Sequence, residues 1–337
     1  MAVYLITYIS ALIFGYILNF NHQYFFSKKI VYTIFFFNCM FLIAALRAET
    51  VAADTSAYIS IFKNIQSTPW NLLDETFQYE KGYIILNKII SLFFSERVLL
   101  MLIAAFTYFG FAYILSTILF MGFNHFFTSM SSLRQYMALV FLLLAYRGFL
   151  GGRNLKSFLY MLLAFEFHHT SIIFSFCLLV LMVLKVSRKT LLIFLILESI
   201  VVYFYKPMLF AFVKIFPKYS YYLTPQMFES ETGIGEIRLC FIIIELFIIL
   251  VVLLKKESQT EKNILLSILL SGAVVIGILQ KNIPYIWRLT FYFDFMLLLI
   301  VPELIELQKR HKTISYFLFN SLSICYFIYL CFNNLGV

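Results

Sequence analysis

Charged residues are scarce in this sequence. Lys, Arg, Asp and Glu make up 13% of its 337 residues, whereas 62% are hydrophobic and 20% are aromatic. Soluble globular domains carry roughly twice that charge, about 25% of residues. The composition therefore excludes a soluble domain and predicts an integral membrane protein.

Long polar stretches are also lacking. Apolar runs that are long enough to cross the ~30 Å of a bilayer core recur along the whole chain, which predicts an all-α, polytopic transmembrane helical bundle of about twelve segments. We expect one integral membrane domain over residues 1–337, and a first run that is a retained helix because it lacks the flanks of a signal peptide. The strongest spans are predicted at 2–20, 30–47, 98–120, 133–147, 190–205, 237–254, 263–280, 288–304 and 313–333.

Two further segments are apolar but irregular. The stretch 82–95 is short and is interrupted by Asn87 and Lys88. The stretch 157–185 is broken at 166–170 by the sequence Glu-Phe-His-His-Thr, so we expect two short helices that meet at the histidines.

The five cysteines include no CxxC pair, which argues against a disulfide framework and a metal site. The net charge of +9 does not indicate a nucleic-acid partner, because the basic residues lie in short loops, where the positive-inside rule accounts for them.

With the loop at Lys28 and Lys29 placed in the cytoplasm, 48–81 and 206–236 become extracytoplasmic loops of roughly 30 residues each, a length that is usually functional. Amphipathic helices on the outer leaflet suit parts of both loops.

This topology brings the unusual polar residues to one side of the membrane. The predicted cluster contains Asp54, Glu80, Arg134, Gln135, His168, His169, Arg238 and Arg288. A guanidinium binds phosphate through a planar fork of donors, so the arginines would hold a lipid pyrophosphate headgroup while the lipid tail stays in the bilayer. His168, His169, Asp54 or Glu80 would accept a proton from an attacking sugar hydroxyl.

Each of these residues also has a structural interpretation. Arg134 and Arg288 are placed where helix-end anchors reach phospholipid headgroups. The histidines fit a packed polar break, and Asp54 fits a helix cap. Asp294 fits a buried partner of Arg288. Glu198 and Glu245 fit either proton relays or ion pairs inside the bundle.

An ordered series of motifs resembles a known family. The series runs through Arg47 and AADTSAY (Asp54, Tyr58), YEKGYIILN (Glu80, Gly82, Tyr83), SLRQYMALVFLLLA (Arg134, Gln135, Ala138), LLAFEFHHTSIIF (Ala164, His168, Ser171) and WRLTFYF (Arg288, Tyr292). It is similar to the EpsG family of Wzy-type bacterial polysaccharide polymerases over most of the chain. The RQ-x-x-A and A-x-x-F-H-x-[ST] elements are the specific part. Ala53 departs from the glycine that is common before the aspartate.

The resemblance implies a GT-C-like, metal-independent glycosyltransferase without a cofactor, in the bacterial cytoplasmic membrane. It would polymerise undecaprenyl-pyrophosphate-linked repeat units of exopolysaccharide, capsule or O-antigen at the outer face. Arg134 with Arg288 or Arg238 would hold the pyrophosphate, and Gln135, Tyr292 and Tyr58 would bind substrate. His168, with His169 second, would act as the base, and Asp54 and Glu80 would orient the sugar. The partners implied are membrane lipid, a chain-length regulator and a flippase of the same pathway.

Two other functions fit parts of the pattern. A flippase or secondary transporter would use Glu198, Glu245 and Asp294 for coupling protons and Arg134 for an anionic substrate. A glycosyltransferase or ligase that uses polyprenyl-phosphate sugars shares the same arrangement of carboxylates and arginines.

Overall fold

The computed structural model describes residues 2–19, 25–52, 54–112, 120–121, 124–215, 220, 235–283, 285–308 and 312–334. In these ranges all regular structure is helical, as predicted. The α-helices are α1 (Ala2–Asn19), α2 (Phe25–Ala45), α3 (Thr55–Ser67), α4 (Leu73–Thr76), α5 (Lys81–Ser91), α6 (Glu96–Ala112), α7 (His125–Ser131), α8 (Leu133–Leu150), α9 (Asn154–Phe167), α10 (Ile172–Val183), α11 (Arg188–Tyr203), α12 (Tyr205–Ile215), α13 (Glu236–Leu254), α14 (Glu261–Leu279), α15 (Trp287–Glu306) and α16 (Lys312–Asn334).

Within the described residues, four helices are long and apolar enough to cross a membrane: α8, α13, α14 and the Thr313–Leu330 part of α16. Taken together, α11 and α12 are also long and apolar enough to cross a membrane, but the chain bends by 76° between them. Shorter apolar helices occur at Val3–Phe14, Ile30–Ala45 and His169–Val183. The chain is therefore a polytopic helical membrane protein, and the count of about twelve segments and the GT-C architecture stay predictions.

The chain forms two compact units, Met1–Ile172 with Thr313–Val337 and Ile173–Lys312. The single domain over 1–337 stays a prediction, as does the side of the membrane on which 48–81 and 206–236 lie. The first of these loops contains α3, whose buried side chains lie on one face, as an amphipathic helix requires. The second contains most of α12, and most of its remainder lies outside the described residues.

Buried polar pairs join helices in the first unit. Tyr8 Oη and Ser323 Oγ lie 2.6 Å apart, as do Tyr108 Oη and Ser129 Oγ. His125 Nδ1 lies 2.9 Å from Tyr136 Oη. Each pair satisfies polar groups that would otherwise be desolvated without a partner.

A tight hairpin brings the ends of α8 and α9 to one place. The chain turns at Gly151 and Gly152, and Gly152 has a φ of +68°, which favours glycine. Gly148 lets the two helices approach closely, because a Cβ there would lie 2.6 Å from Ser157 Oγ. The start of α8 and the end of α9 therefore lie at the same end of an antiparallel pair.

The helices α3 and α5 form a parallel pair that Lys88 joins. The Lys88 ammonium donates to the carbonyls of Ile65, Gln66 and Thr68 at 3.1, 3.0 and 2.6 Å. It thus satisfies the orphan carbonyls at the end of α3 and places a positive charge at the negative end of the helix dipole. The first turns of α3 and α5 lie together at the other end, where Tyr58 packs against Tyr83 with their ring centroids 6.2 Å apart.

Replacing Lys88 by Met tests this cap. Methionine keeps the apolar stem but leaves three carbonyls without their donor, so we expect a loss of roughly 1–3 kcal/mol in the free energy of unfolding. Thermal unfolding in detergent measures the loss. Lys81→Met is the matched control, because Lys81 is exposed and, within the described residues, its one ion pair is with exposed Asp74. Equal melting of the two variants would contradict the capping role.

Candidate active site

The end of α9 carries the predicted break. The helix ends at Phe167, and His168 adopts an extended backbone with φ −160° and ψ 108°. A single 3₁₀ turn, His169–Ser171, then leads into α10. The prediction of two helices that meet at the histidines is confirmed.

One carboxylate joins the three elements at this break. Glu80 immediately precedes α5, and its side chain is 7% exposed. Its Oε1 lies 3.0 Å from His168 Nδ1 and accepts from the backbone N–H of His169 at 3.3 Å. Its Oε2 accepts from Arg134 Nη1, at the start of α8. Glu80 therefore holds Arg134 and His168 beside each other.

The contact with Glu80 fixes the chemistry of the His168 ring. An ionised carboxylate only accepts hydrogen bonds, so Nδ1 carries the hydrogen and, in the neutral ring, the lone pair is on Nε2. The side chain is 22% exposed, and Nε2 has no hydrogen-bond partner among the described residues. A carboxylate-oriented imidazole with an accessible Nε2 is an arrangement suited to a general base.

The environment keeps Glu80 ionised. Burial alone would raise the pKa of its carboxyl, but the hydrogen bond from His168 and the charge of Arg134 outweigh burial and lower the pKa to about 2. Because the pKa is lowered, the stabilisation that Glu80 provides is present above the ordinary carboxyl range and is lost only as the pH falls towards about 2. A carboxylate this acidic is a weak proton acceptor near neutral pH, so the geometry suits Glu80 to positioning.

Two tyrosines of the YEKGYIILN motif, neither of them among the predicted site residues, support Arg134. Its guanidinium carbon lies 4.9 Å from the ring centroid of Tyr79 and 5.5 Å from that of Tyr83. Stacking of this kind stabilises a cation and fixes the plane of the guanidinium. Tyr83 lies in the first turn of α5, three residues after Glu80, and this spacing was the signal that could have placed it here.

Polar atoms without partners lie beside this cluster. Arg134 Nε is buried and has no hydrogen bond in the described structure, and the same holds for Ser171 Oγ, whose residue is fully buried. Buried polar atoms in proteins nearly always have partners, so such exceptions indicate a bound group or water.

Asp54 and Tyr58 belong to the same unit. Asp54 immediately precedes α3. Tyr58 lies one turn later in α3, is 6% exposed and packs against Tyr83 of α5. Gln135 is buried directly after Arg134. The His169 ring packs against Phe165 with the ring centroids 4.6 Å apart, and the His168 ring lies against Glu80, with Nδ1 3.0 Å from Oε1.

The second unit contains the remaining predicted residues. Arg238 on α13 binds Glu245 through two hydrogen bonds of 3.2 Å, Asp294 at 3.0 Å and the Ala273 carbonyl at 2.6 Å. Pairing of Glu245 inside the bundle, one of its two interpretations, is confirmed, and Asp294 has Arg238 as a partner. Arg238 is thus bound to protein groups on three helices, and its role in binding substrate stays a prediction.

Arg288 and Tyr292 differ in their surroundings. Arg288 is exposed at the start of α15, and its guanidinium lies 5.5 Å from the Tyr285 ring and 5.6 Å from the Trp287 ring. Tyr292 is fully buried in the same helix. That these residues line one site with Arg134 stays a prediction. Among the described residues, no group of three or more His, Cys, Asp or Glu side chains is placed to hold a metal ion.

Glu198 has a local partner. Its Oε1 accepts from Ser271 Oγ at 2.9 Å, which joins α11 to α14, and its Oε2 is buried without a partner in the described structure. Its role as a proton relay stays a prediction.

Replacing Gly82 by Ala tests how Glu80 is positioned. A Cβ on Gly82 would lie 2.7 Å from the Glu166 carbonyl oxygen, so α5 must move away from the end of α9. We expect the link between Glu80 and His168 to break and the activity of the site to fall by roughly 10–100-fold, as for other groups that orient a functional histidine. The rate of product formation in cells at matched protein level measures the effect. Gly151→Ala is the control, because its Cβ would meet only ordinary contacts of 3.5 Å or more. A wild-type rate from Gly82→Ala would contradict the prediction.

Replacing Arg238 by Met distinguishes a structural arginine from a substrate ligand. Glu245 is fully buried, and without Arg238 its charge would lose its partner, so we expect a loss of roughly 3–5 kcal/mol in the free energy of unfolding. Arg288→Met removes an exposed cation and should change stability little. Thermal unfolding in detergent compares the two variants. A stable Arg238→Met protein that no longer binds substrate would reverse the assignment.

Comparison with known protein families gives a match over most of the chain. The EpsG family matches residues 29–336, which is nearly the whole chain. The curated proteins and the solved structures yield no match. The match contains all ten predicted site residues, including Glu80 and the three residues that its carboxylate contacts: Arg134, His168 and His169. The chain belongs to the EpsG family, a family of Wzy-like polysaccharide polymerases.

Proposed function

We propose that the chain polymerises undecaprenyl-pyrophosphate-linked oligosaccharide repeat units into exopolysaccharide, capsule or O-antigen at the outer face of the bacterial cytoplasmic membrane. Family membership supports a polysaccharide polymerase in general. The observation that carries the specific proposal is the Glu80 carboxylate, which holds an oriented imidazole and an arginine side by side.

Arg134 is proposed to bind the pyrophosphate of the donor. One of its terminal nitrogens is engaged by Glu80, whereas buried Nε lacks a partner in the described structure and is available to a phosphate oxygen. Two helix N-termini add to the positive potential around Arg134, because α5 begins directly after Glu80 and α8 begins one residue before Arg134. The N-terminus of a helix presents backbone N–H groups and a partial positive charge of about half a unit, which favours anions.

His168 is proposed to accept the proton. The hydroxyl oxygen of the acceptor sugar attacks the anomeric carbon of the donor, and its proton passes to His168 Nε2 as the new glycosidic bond forms. The bond between the anomeric carbon and the phosphate oxygen breaks, and its electron pair leaves with undecaprenyl pyrophosphate. Negative charge grows on this leaving group in the transition state, where Arg134 stabilises it more than in the ground state.

Glu80 is a positioning residue in this reaction. It keeps the Nδ1 tautomer of His168 and orients Arg134, and a general base held in this way contributes roughly 10²–10⁴-fold in rate. Arg134 and the helix N-termini neutralise phosphate charge without a metal or cofactor in the proposed mechanism. In the same pathway, a flippase would supply the lipid-linked units before this step, and a chain-length regulator would act on the growing polymer.

Replacing Arg134 by Ala in the native bacterium tests the proposal. We expect long polymer to be lost and single lipid-linked repeat units to accumulate on the outer leaflet, because the leaving pyrophosphate loses its cation. Extraction of lipid-linked glycans and surface polysaccharide measures both quantities. Arg153→Ala, in the exposed turn after α8, is the matched control, and His168→Gln should reproduce the Arg134→Ala result.

Other outcomes would contradict the proposal. Units trapped on the inner leaflet would indicate a flippase. Products that carry one added sugar or a capped acceptor would indicate a different glycosyltransferase or a ligase. Unchanged polymer with well-expressed Arg134→Ala protein would make Arg134 a membrane anchor.

A further inference from the structure

The helix α5 is too short to cross a membrane. Its 11 residues, Lys81–Ser91, are about 16 Å long at 1.5 Å per residue, roughly half of the ~30 Å hydrocarbon core. The chain nevertheless stays apolar beyond the end of the helix, through Leu92, Phe93 and Phe94. A short apolar helix of this kind is either packed inside the bundle or placed in the membrane interface.

One side of α5 is exposed and apolar. Between residues 82 and 94, every exposed side chain is apolar. Ile85, Ile89, Leu92 and Phe93 are 47, 49, 55 and 76% exposed, and they follow the i, i+4, i+7, i+8 spacing of one helix face. These four residues are called the α5 stripe below. A continuous apolar stripe that stays exposed marks a surface that another molecule covers.

The neighbouring helix α3 exposes a polar face over its whole length. Its exposed residues are Ser56, Ala57, Ser60, Lys63, Asn64, Gln66 and Ser67. Water or lipid headgroups solvate such a face, whereas a lysine placed in hydrocarbon costs roughly 3 kcal/mol. Because α5 runs parallel to α3 and Lys88 joins their C-terminal ends, α5 lies along the same surface. The pair thus has a polar face on α3 and an apolar face on α5, which is the arrangement of helices that lie in a membrane interface.

The residues that follow α5 return to α3. Glu96, at the start of α6, lies 4.0 Å from Lys63 in the middle of α3, and the two side chains are 31% and 59% exposed. Arg97 donates to the Arg47 carbonyl at 2.6 Å, and Arg47 itself donates to Thr55 at the start of α3. An exposed ion pair is costly in hydrocarbon, so this point lies at the membrane interface. The chain therefore leaves α5 on the same side of the membrane on which it enters the helix.

Trp70 lies at the C-terminal end of the helix pair. Its side chain is 51% exposed, and the Lys88 ammonium lies 5.9 Å from the centroid of its ring. Tryptophan is enriched where hydrocarbon meets water. This end of the pair therefore also carries a residue that is typical of the interface.

We propose that α5 lies in the membrane interface without crossing the bilayer, and that the acyl chains of membrane lipids cover the α5 stripe. This inference goes beyond the proposed function and does not depend on it. In this orientation the stripe faces hydrocarbon, and the polar face of α3 points to water and headgroups. Glu80, directly before α5, is consequently held at the level of the lipid headgroups.

The depth of single tryptophans in the full-length protein tests this orientation. The chain has two tryptophans, and replacing Trp70 and Trp287 by Phe gives a background without tryptophan. Ile85→Trp or Phe93→Trp is then added, and the protein is placed in vesicles of phosphatidylcholine that is brominated either near the headgroup or near the end of the acyl chains. The two positions are about 12 Å apart along the helix. We expect the shallow bromines to quench both tryptophans more strongly, by about twofold or more, because the apolar face of an interfacial helix reaches only ~5–10 Å into the bilayer.

Phe247→Trp in the same background is the matched control. Phe247 is 64% exposed in the middle of α13, which is long enough to cross a membrane, so the deep bromines should quench its tryptophan most strongly. If Phe93→Trp lowers the melting temperature, Leu92→Trp, in the same turn of the stripe, replaces it.

Two results would overturn the proposal. Shallow quenching at Ile85 with deep quenching at Phe93 would mean that α5 is inclined into the bilayer. Absence of quenching at both positions, with normal quenching of the Phe247→Trp control, would mean that protein, such as a second copy of the chain, covers the stripe in place of lipid. The measurement uses no glycan, so its result leaves the proposed function to be decided by the Arg134→Ala experiment.

Discussion

The Glu80 carboxylate is the interaction on which the rest of the site depends. Its side chain is almost fully buried. The carboxylate is stable there because it accepts hydrogen bonds from the His168 imidazole, the Arg134 guanidinium and the His169 backbone N–H. A buried carboxylate without such partners would be strongly disfavoured. The start of α5, the start of α8 and the turn after α9 must therefore meet at one point, and this requirement brings His168 and Arg134 together.

Features far from the chemistry maintain this meeting point. The glycine turn between α8 and α9 returns the chain to the same end, and Gly82 allows α5 to touch the end of α9. Lys88, on α5, caps the C-terminal end of α3 and so keeps the two helices parallel. Short helices whose first turns point at a polar centre are a known way to place charge at the edge of a hydrocarbon region. The apolar bulk of the chain thus acts as a frame for a small polar site.

Part of this arrangement was predictable from the sequence. The break at 166–170 was visible because four polar residues interrupt an apolar run, and Glu80, Arg134 and His168 were visible because polar and charged groups are rare in such a chain. The partners of Arg238 were harder to predict. Glu245 lies seven residues later on the same face of α13, but Asp294 and the Ala273 carbonyl come from other helices, and only helix packing decides such contacts. The same limit applied to Tyr79 and to the cap by Lys88, whose partners are distant in sequence or are backbone atoms.

The central claim is that the donor pyrophosphate binds beside the Glu80 link between Arg134 and His168. Cryo-electron microscopy of the full-length protein in lipid nanodiscs with undecaprenyl pyrophosphate tests this claim most directly. The account predicts phosphate density within hydrogen-bonding distance of Arg134, with Glu80 still in contact with His168. Phosphate density elsewhere, with the surroundings of Arg134 unchanged, would contradict it.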